Sequence, residues 1–515
     1  MRIRLRRTAA AATVLVSCLL LGSVPAAGAG TDAETDAGSA AAGRYGELDA
    51  YVRERMEATG VPGLGYAVVG PDGPLHRRTW GTDGRGDPVD GRTPFLWGSV
   101  AKPVAATAVM VLVQEGRLGL DDRVADHLPA FRFGGPGHAS RVTVRHLLNQ
   151  TAGIPASAVG AVDCTDPDCP PPAGRLGALD GVRPLGPPGT AYAYSSANYL
   201  VLAAVVEAVT GRTYAEHVRE AVFDPAGMDG AIAGRDEAAE RGLAPGHLPL
   251  WGVPAPVADG VDDGGAAYGY TGGGLDDLAA FAAFQLREGR TADGEEVLTP
   301  ESVRLMREEG RLSPDGEGTG YGLGWRVGGL DAPLDGAVWH TGAAPGYSGM
   351  LFLMPDGERA LVVEQNMHGL LQDEAVMQVG FGAARILAGG EAPEEAGAAL
   401  HHSVVWGTTA LAVLMIAAAV RSAVLVVRPP GVRARRRAGA AVLWGVAGAL
   451  PGLGLAALVG VMGARLPMTW VPDAWAALVT AASAGALVVV LRCVLLFRPS
   501  GAGPTASPGR RTPPG

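Results

Sequence analysis

The sequence predicts an α/β (α+β) protein: one antiparallel sheet flanked by helices, a mostly helical subdomain inserted into it, and three transmembrane helices behind. Three observations carry this. Two strand pairs, each folded around a Pro-Asp-Gly turn, stand far apart in "GLGYAVVGPDGPLHRRTWG" and "SGMLFLMPDGERALVVEQN". Strong helical patterns such as "VAATAVMVLVQEG" lie between them, so the sheet is built from both ends of one domain. Three apolar runs follow at about 404–420, 440–462 and 474–491, each near the length that crosses a hydrocarbon core as a helix.

Taken in order, the chain opens on a secretory signal over 1–29. Arg2, Arg4, Arg6 and Arg7 precede an apolar run, and "AGA" offers a small-residue cleavage site. A permanent anchor, or lipidation at Cys18 in "LVSC", are the other readings of this segment. Residues 30–44 read as a small-residue linker. "YGELDAYVRERMEATG" opens the globular domain, 45–390, with a helix that ends at Gly60. "DEAVMQVGFGAARILAG" closes it with an amphipathic helix, and 391–402 reads as a polar tether. The spans fill 403–497, with a tail at 498–515.

Charge orients the spans. Arg428, Arg433, Arg435, Arg436 and Arg437 crowd the first connection, and the tail adds Arg498, Arg510 and Arg511. The second connection has only Arg465 and Asp473 as charges. By the positive-inside rule the basic loop and the tail are cytoplasmic, so the globular domain is extracytoplasmic on a multi-pass membrane protein. That domain carries a strongly acidic balance, a net charge of −24 between residues 30 and 402, which argues against nucleic acid as a partner. Cys164 and Cys169, in "DCTDPDCPPP", are expected to pair as a disulfide in an oxidising compartment. A metal site is the alternative there, but no histidine cluster accompanies the pair.

The chain has one lysine, Lys102, three positions after Ser99 in "WGSVAKP". "TPFLW" before it has strand character and a helical pattern follows, so Ser99 stands at a helix start with Lys102 on the same face. A serine hydroxyl is a weak nucleophile until a neighbour takes its proton, and a helix N-terminus supplies N–H groups to a developing oxyanion. An N-cap serine followed by a solvated lysine fits the same residues. Asp276 and Asp277 in "TGGGLDDLAAF" read as helix-start residues, favoured there by the dipole, and not as catalytic acids.

Further segments extend the pattern: "RVTVRHLLNQTAGIP", "YAYSSANYLVLAAVVEAVTG", "YGLGW" and "WHTGAAPGYSG", in that order. Together with "FLWGSVAKPVAATAVMVLVQEGRLGLDD" they resemble the serine β-lactamase and penicillin-binding-protein superfamily, nearest its class C-like branch of D,D-peptidases, D-aminopeptidases and esterases. The resemblance covers roughly 45–390 and implies a β-lactamase/transpeptidase-like fold. It implies that Ser99 is acylated and that Lys102 and Tyr194 handle protons, the phenol with a pKa depressed by the neighbouring cation. It further implies a substrate-binding and oxyanion set of Ser196, His340, Thr341, Gly342 and Ala343, with the N–H groups of Ser99 and Ala343 as the oxyanion hole. No metal or organic cofactor is implied.

Two positions depart from the family pattern. Ser196 stands where the second motif usually has Asn, which puts the usual contacts to the substrate amide and the lysine in question. His340 stands where β-lactamases commonly have Lys, and a neutral imidazole holds a carboxylate weakly. Both point away from efficient β-lactam hydrolysis. The expectation is a membrane-tethered serine hydrolase acting on D-amino acid peptides or small esters; a catalytically impaired receptor for cell-wall fragments is the alternative. The lipid bilayer and a small-molecule or peptide substrate are the expected partners. Gly448 and Gly452 in the second span allow close packing within the chain or dimerisation.

Overall fold

The computed structural model describes residues 33–166, 168–308, 319–428 and 434–497. The expected signal at 1–29, residues 429–433 of the basic loop and the tail at 498–515 lie outside them. The described residues from 44 onward form one compact unit.

Helix α1, Ala33–Thr59, starts inside the stretch read as a linker, where alanines with few β-branched residues favour helix. Gly60, at φ +70°, ends it in the left-handed conformation that glycine adopts without strain. The hairpin β1 (Gly63–Gly70) and β2 (Gly73–Gly81) follows, and then the short β3 (Phe95–Leu96). Helices α2 (Ala101–Gln114) and α3 (Ser196–Thr210) belong to the helical subdomain. After it come the hairpin β4 (Gly246–Leu250) and β5 (Val253–Ala258), the two-residue β6 (Gly272–Gly273) and α4 (Leu275–Leu286). Strands β7 (Thr319–Tyr321), β8 (Arg326–Gly328), β9 (Val338–Ala344), β10 (Tyr347–Leu353) and β11 (Ala360–Gln365) lead into α5 (Asp373–Leu387).

Seven strands form one antiparallel sheet in the order β2-β1-β11-β10-β9-β8-β7. The N-terminal hairpin and the last three strands are thus neighbours, as the two Pro-Asp-Gly pairs require. Side chains alternate between two apolar layers. Leu64, Tyr66 and Val68 of β1, with Met350, Phe352, Leu361 and Val363, pack under α1 and α5. Ala67, Val69, Leu351, Leu353 and Val362 belong to the other layer, on the side of α4, which continues into the core of the helical subdomain. Both faces are buried, which explains why these strands read as nearly unbroken apolar runs. Asp277 accepts from the N–H groups of Gly274 and Gly230, both at 2.8 Å, and so caps the start of α4.

Beyond the domain run α6 (Ala399–Val427), α7 (Ala434–Met462), the short α8 (Arg465–Trp470) and α9 (Pro472–Phe497). Within them 399–427, 439–462 and 472–497 are long and apolar enough to cross a membrane. The start of α6 and the connection from α7 to α9 both lie against the globular domain. At the tip of the β4–β5 hairpin, Trp251 donates from Nε1 to Thr409 Oγ1 (2.9 Å) and from its backbone N–H to Asp473 Oδ2 (2.9 Å).

Candidate active site

Ser99 sits in a single 3-10 turn, Gly98–Val100, that runs straight into α2. The turn is pressed against β9. A Cβ on Gly98, whose φ is +57°, would meet the backbone N of Ala343 at 2.3 Å, and one on Gly342 would meet Trp97 O at 2.0 Å. The missing side chain at Gly342 thus makes room for the turn that carries Ser99. This close approach brings Ser99 and Ala343 to the same cavity. Pairing with β8 covers only Val338 and Trp339 of β9, so β9 turns an unpaired edge to the site from His340 onward.

Lys102, one turn along, is fully buried. Its Nζ donates to the carbonyl of Tyr268 (2.8 Å) and is within hydrogen-bond distance of Ser99 Oγ (2.8 Å) and Ser196 Oγ (3.2 Å), so a neutral amine there has its lone pair free to accept from the Ser99 hydroxyl. No carboxylate is among these partners. Burial, and secondarily the Arg326 guanidinium, push the lysine pKa well below its ordinary value. A lone ammonium in such a place sheds its proton instead of carrying the desolvation penalty. Ser196, doubted as a stand-in for Asn, therefore keeps the lysine contact. Asn198 is turned away: its Nδ2 donates to Gln150 Oε1 (2.5 Å) and to Ser195 O (3.2 Å).

The Tyr268 carbonyl is held by a braced segment. Arg175 donates to both oxygens of buried Asp262 at 2.7 Å, and Asp262 also accepts from the Tyr268 hydroxyl at 2.6 Å. A backbone acceptor leaves no residue-type signature, so Tyr268, Asp262 and Arg175 went unmarked in the sequence.

Tyr194 lies in the loop before α3, with Lys102 Nζ 5.0 Å from its ring centroid. Its phenol is shifted upward, opposite to the sequence expectation. Burial is the largest cause, and Arg326 and a hydrogen bond with Ser99 offset only part of it. The expected depression needed a charged lysine, and burial weighs against the charged form of Lys102.

His340 also departs from its expected place. It is fully buried on β9, with Nδ1 bonded to the Thr341 carbonyl (2.7 Å) and Nε2 to the Tyr321 hydroxyl (3.0 Å). Burial, then the Arg326 guanidinium, lowers its pKa well below the ordinary imidazole value. It is buried behind the cavity wall and is not among the residues that line the cavity. The guanidinium of Arg326 lies 5.2 Å from the Tyr194 ring centroid and 5.3 Å from that of Trp339. Only the "YGLGW" segment just before it hinted at this residue. Thr341 and Ala343 are partly exposed, and Ala343 lines the cavity with Ser99 and Ser196. Cys164 and Cys169 are joined as a disulfide.

This arrangement matches known proteins. The family model described as Beta-lactamase fits residues 48–378, more than half of the chain. The chain belongs to the beta-lactamase family. Within this family it is 35% identical over 321 residues to penicillin-binding protein 4 of Amycolatopsis lactamdurans, covering 59% of this chain and 82% of that one. The octameric penicillin-binding protein homologue from Pyrococcus abyssi has the same fold: its TM-score is 0.58 at 24% identity, over 68% of this chain and 79% of that one. SurE, solved with D-Leu, superposes with a TM-score of 0.53 at 26% identity, over 69% of this chain and 78% of the other. A beta-lactamase family member of this kind is a serine hydrolase or transpeptidase by type, here with three long apolar helices after the domain.

Proposed function

We propose that this protein is a membrane-bound serine hydrolase that works through an acyl-enzyme on Ser99, with D-amino acid peptides or small esters as acyl donors. One observation carries the reading: a fully buried lysine, with no acid among its hydrogen-bond partners, holds its Nζ 2.8 Å from Ser99 Oγ, where its neutral form accepts the hydroxyl proton. Neutral Lys102 takes the Ser99 hydroxyl proton as Oγ attacks the substrate carbonyl. The carbonyl oxygen becomes an oxyanion between the N–H groups of Ser99 and Ala343. As the carbonyl–leaving-group bond breaks, the proton passes from Lys102 through the Tyr194 phenol to the departing atom. Water then attacks the acyl-enzyme, gives its proton to Lys102, and Ser99 regains a proton as the acid leaves. The raised Tyr194 pKa suits a relay that stays protonated between transfers.

The D-configured class draws support from the penicillin-binding relatives and from the D-Leu found with SurE. An extracytoplasmic site draws support from the arginines of the first span connection and from the second connection lying on the hydrolase side. A receptor without catalysis has less in its favour, because Ser196 preserves the lysine contact. The test is hydrolysis of a chromogenic acetyl ester, and labelling by a fluorophosphonate, using the full chain in detergent. Ser99→Ala is expected to remove labelling and to lower turnover by more than about a thousandfold. Equal turnover by the variant would sink the reading.

A further inference from the structure

The cavity in front of Ser99, about 460 Å³, is within the range that accepts a small organic ligand. Most of its lining belongs to the hydrolase domain: Ser99 with Ser196, the Tyr268–Tyr270 segment, the end of β9, and residues of the 159–163 and 368–373 segments. One further wall belongs to the membrane region. Arg465, Leu466, Thr469 and Trp470 of α8, the short helix between the second and third spans, line the same cavity.

Helix α8 is fixed in that position at both ends. Arg465 Nη1 donates to the Asp163 carbonyl (3.1 Å), and Nη2 pairs with Asp166 Oδ2 (3.4 Å), both beside the disulfide loop. The Trp470 ring stands edge-on to His368, 5.5 Å between centroids. The Trp251 contacts to Thr409 and to nearly buried Asp473 hold the hairpin tip on the ends of the first and third spans. Val253 and Val257 beside that tip are exposed, as suits residues resting at a membrane surface.

We propose that α8 is a substrate-selecting wall of the catalytic cavity, and that the preferred acyl donor is an amphiphile at the membrane surface whose apolar acyl chain lies along Leu466 and Trp470. The inference rests on the Ser99 acyl-enzyme reading and narrows its substrate class. The polar scissile end meets Ser99 and the oxyanion donors, while the chain leaves past α8 toward the lipid. The spans then do more than anchor the domain: they complete its binding site.

The experiment uses the full chain in lipid nanodiscs with two chromogenic esters, acetyl and octanoyl, each below its aggregation concentration. Wild type is expected to favour the octanoyl ester. Trp470→Ala is expected to lower kcat/KM for that ester by about 10-fold or more, while the acetyl ester stays within about 2-fold. Thr469→Trp, which fills the cavity from the same helix without removing the Trp470 packing, is expected to produce the same selective loss. Equal effects on both esters, or none on either, in both variants overturn the proposal. A gain for both esters in both variants also overturns it, because it marks α8 as a blocking cap. If wild type hydrolyses neither ester and takes no fluorophosphonate label, the Ser99 reading itself has failed, and the proposal falls with it.

Discussion

The decisive group at the residue scale is the Lys102 ammonium. Burial and Arg326 favour its neutral form, which the proposed role as base requires. The sign of the pH dependence follows. Acidification through the lowered pKa protonates the base, so kcat/KM for an ester should fall along a single ionisation and stay high on the alkaline side. A rate that is flat down to acid pH would remove Lys102 from that role. Stability runs the same way: between the folded pKa and the unfolded value of 10.5 the unfolded chain binds more protons, so stability rises with pH. Lys102→Arg keeps a cation that stays protonated at working pH. That variant is expected to lose more than about a thousandfold in acylation rate, measured by single-turnover labelling.

Elements position this chemistry through one close contact, the Gly98–Val100 turn against β9. The turn and the strand are far apart in sequence, and two glycines let their backbones meet. Gly342→Ala would drive a methyl group into the Trp97 carbonyl. Expected results are a loss of about 1–3 kcal/mol in stability, read from denaturant midpoints in detergent, and a larger loss in kcat than in KM. The second effect is the telling one, because separating Ser99 from Ala343 weakens oxyanion binding more than ground-state binding. Unchanged kcat would show that the two N–H groups do not act together.

Over the whole molecule, the three spans and the hydrolase domain form one packed body. Helices α7 and α9 touch at Gly448 and Gly485: a Cβ on Gly448 would lie 2.6 Å from the Gly485 carbonyl oxygen. Gly448 is thus engaged within the chain, and a Cβ on Gly452 would meet open space. Gly448→Ile is expected to part the two helices and lower the thermal stability of the detergent-solubilised protein, by about 1–3 kcal/mol. Because α8 joins these helices, octanoyl ester hydrolysis should suffer more than acetyl ester hydrolysis. A variant as stable and as selective as wild type would refute the contact.

Sequence alone determined what local pattern can encode: strand pairs around Pro-Asp-Gly turns, helices of period 3.6, spans of sufficient apolar length, and a serine and lysine one helical turn apart. Each depends on residues close together in the chain, where periodicity and side-chain chemistry speak directly. The isolated lysine was legible for the same reason, since arginine cannot give up its proton to act as a base. Tertiary structure alone decided the rest. The Tyr268 carbonyl on Lys102, the charge of Arg326, the burial of His340 and the direction of the Tyr194 shift all arise from segments distant in sequence. Desolvation belongs to a packed environment and not to a residue type, so no motif announces it. The same holds for α8, which reads as a short polar connection until folding sets it against the catalytic cavity.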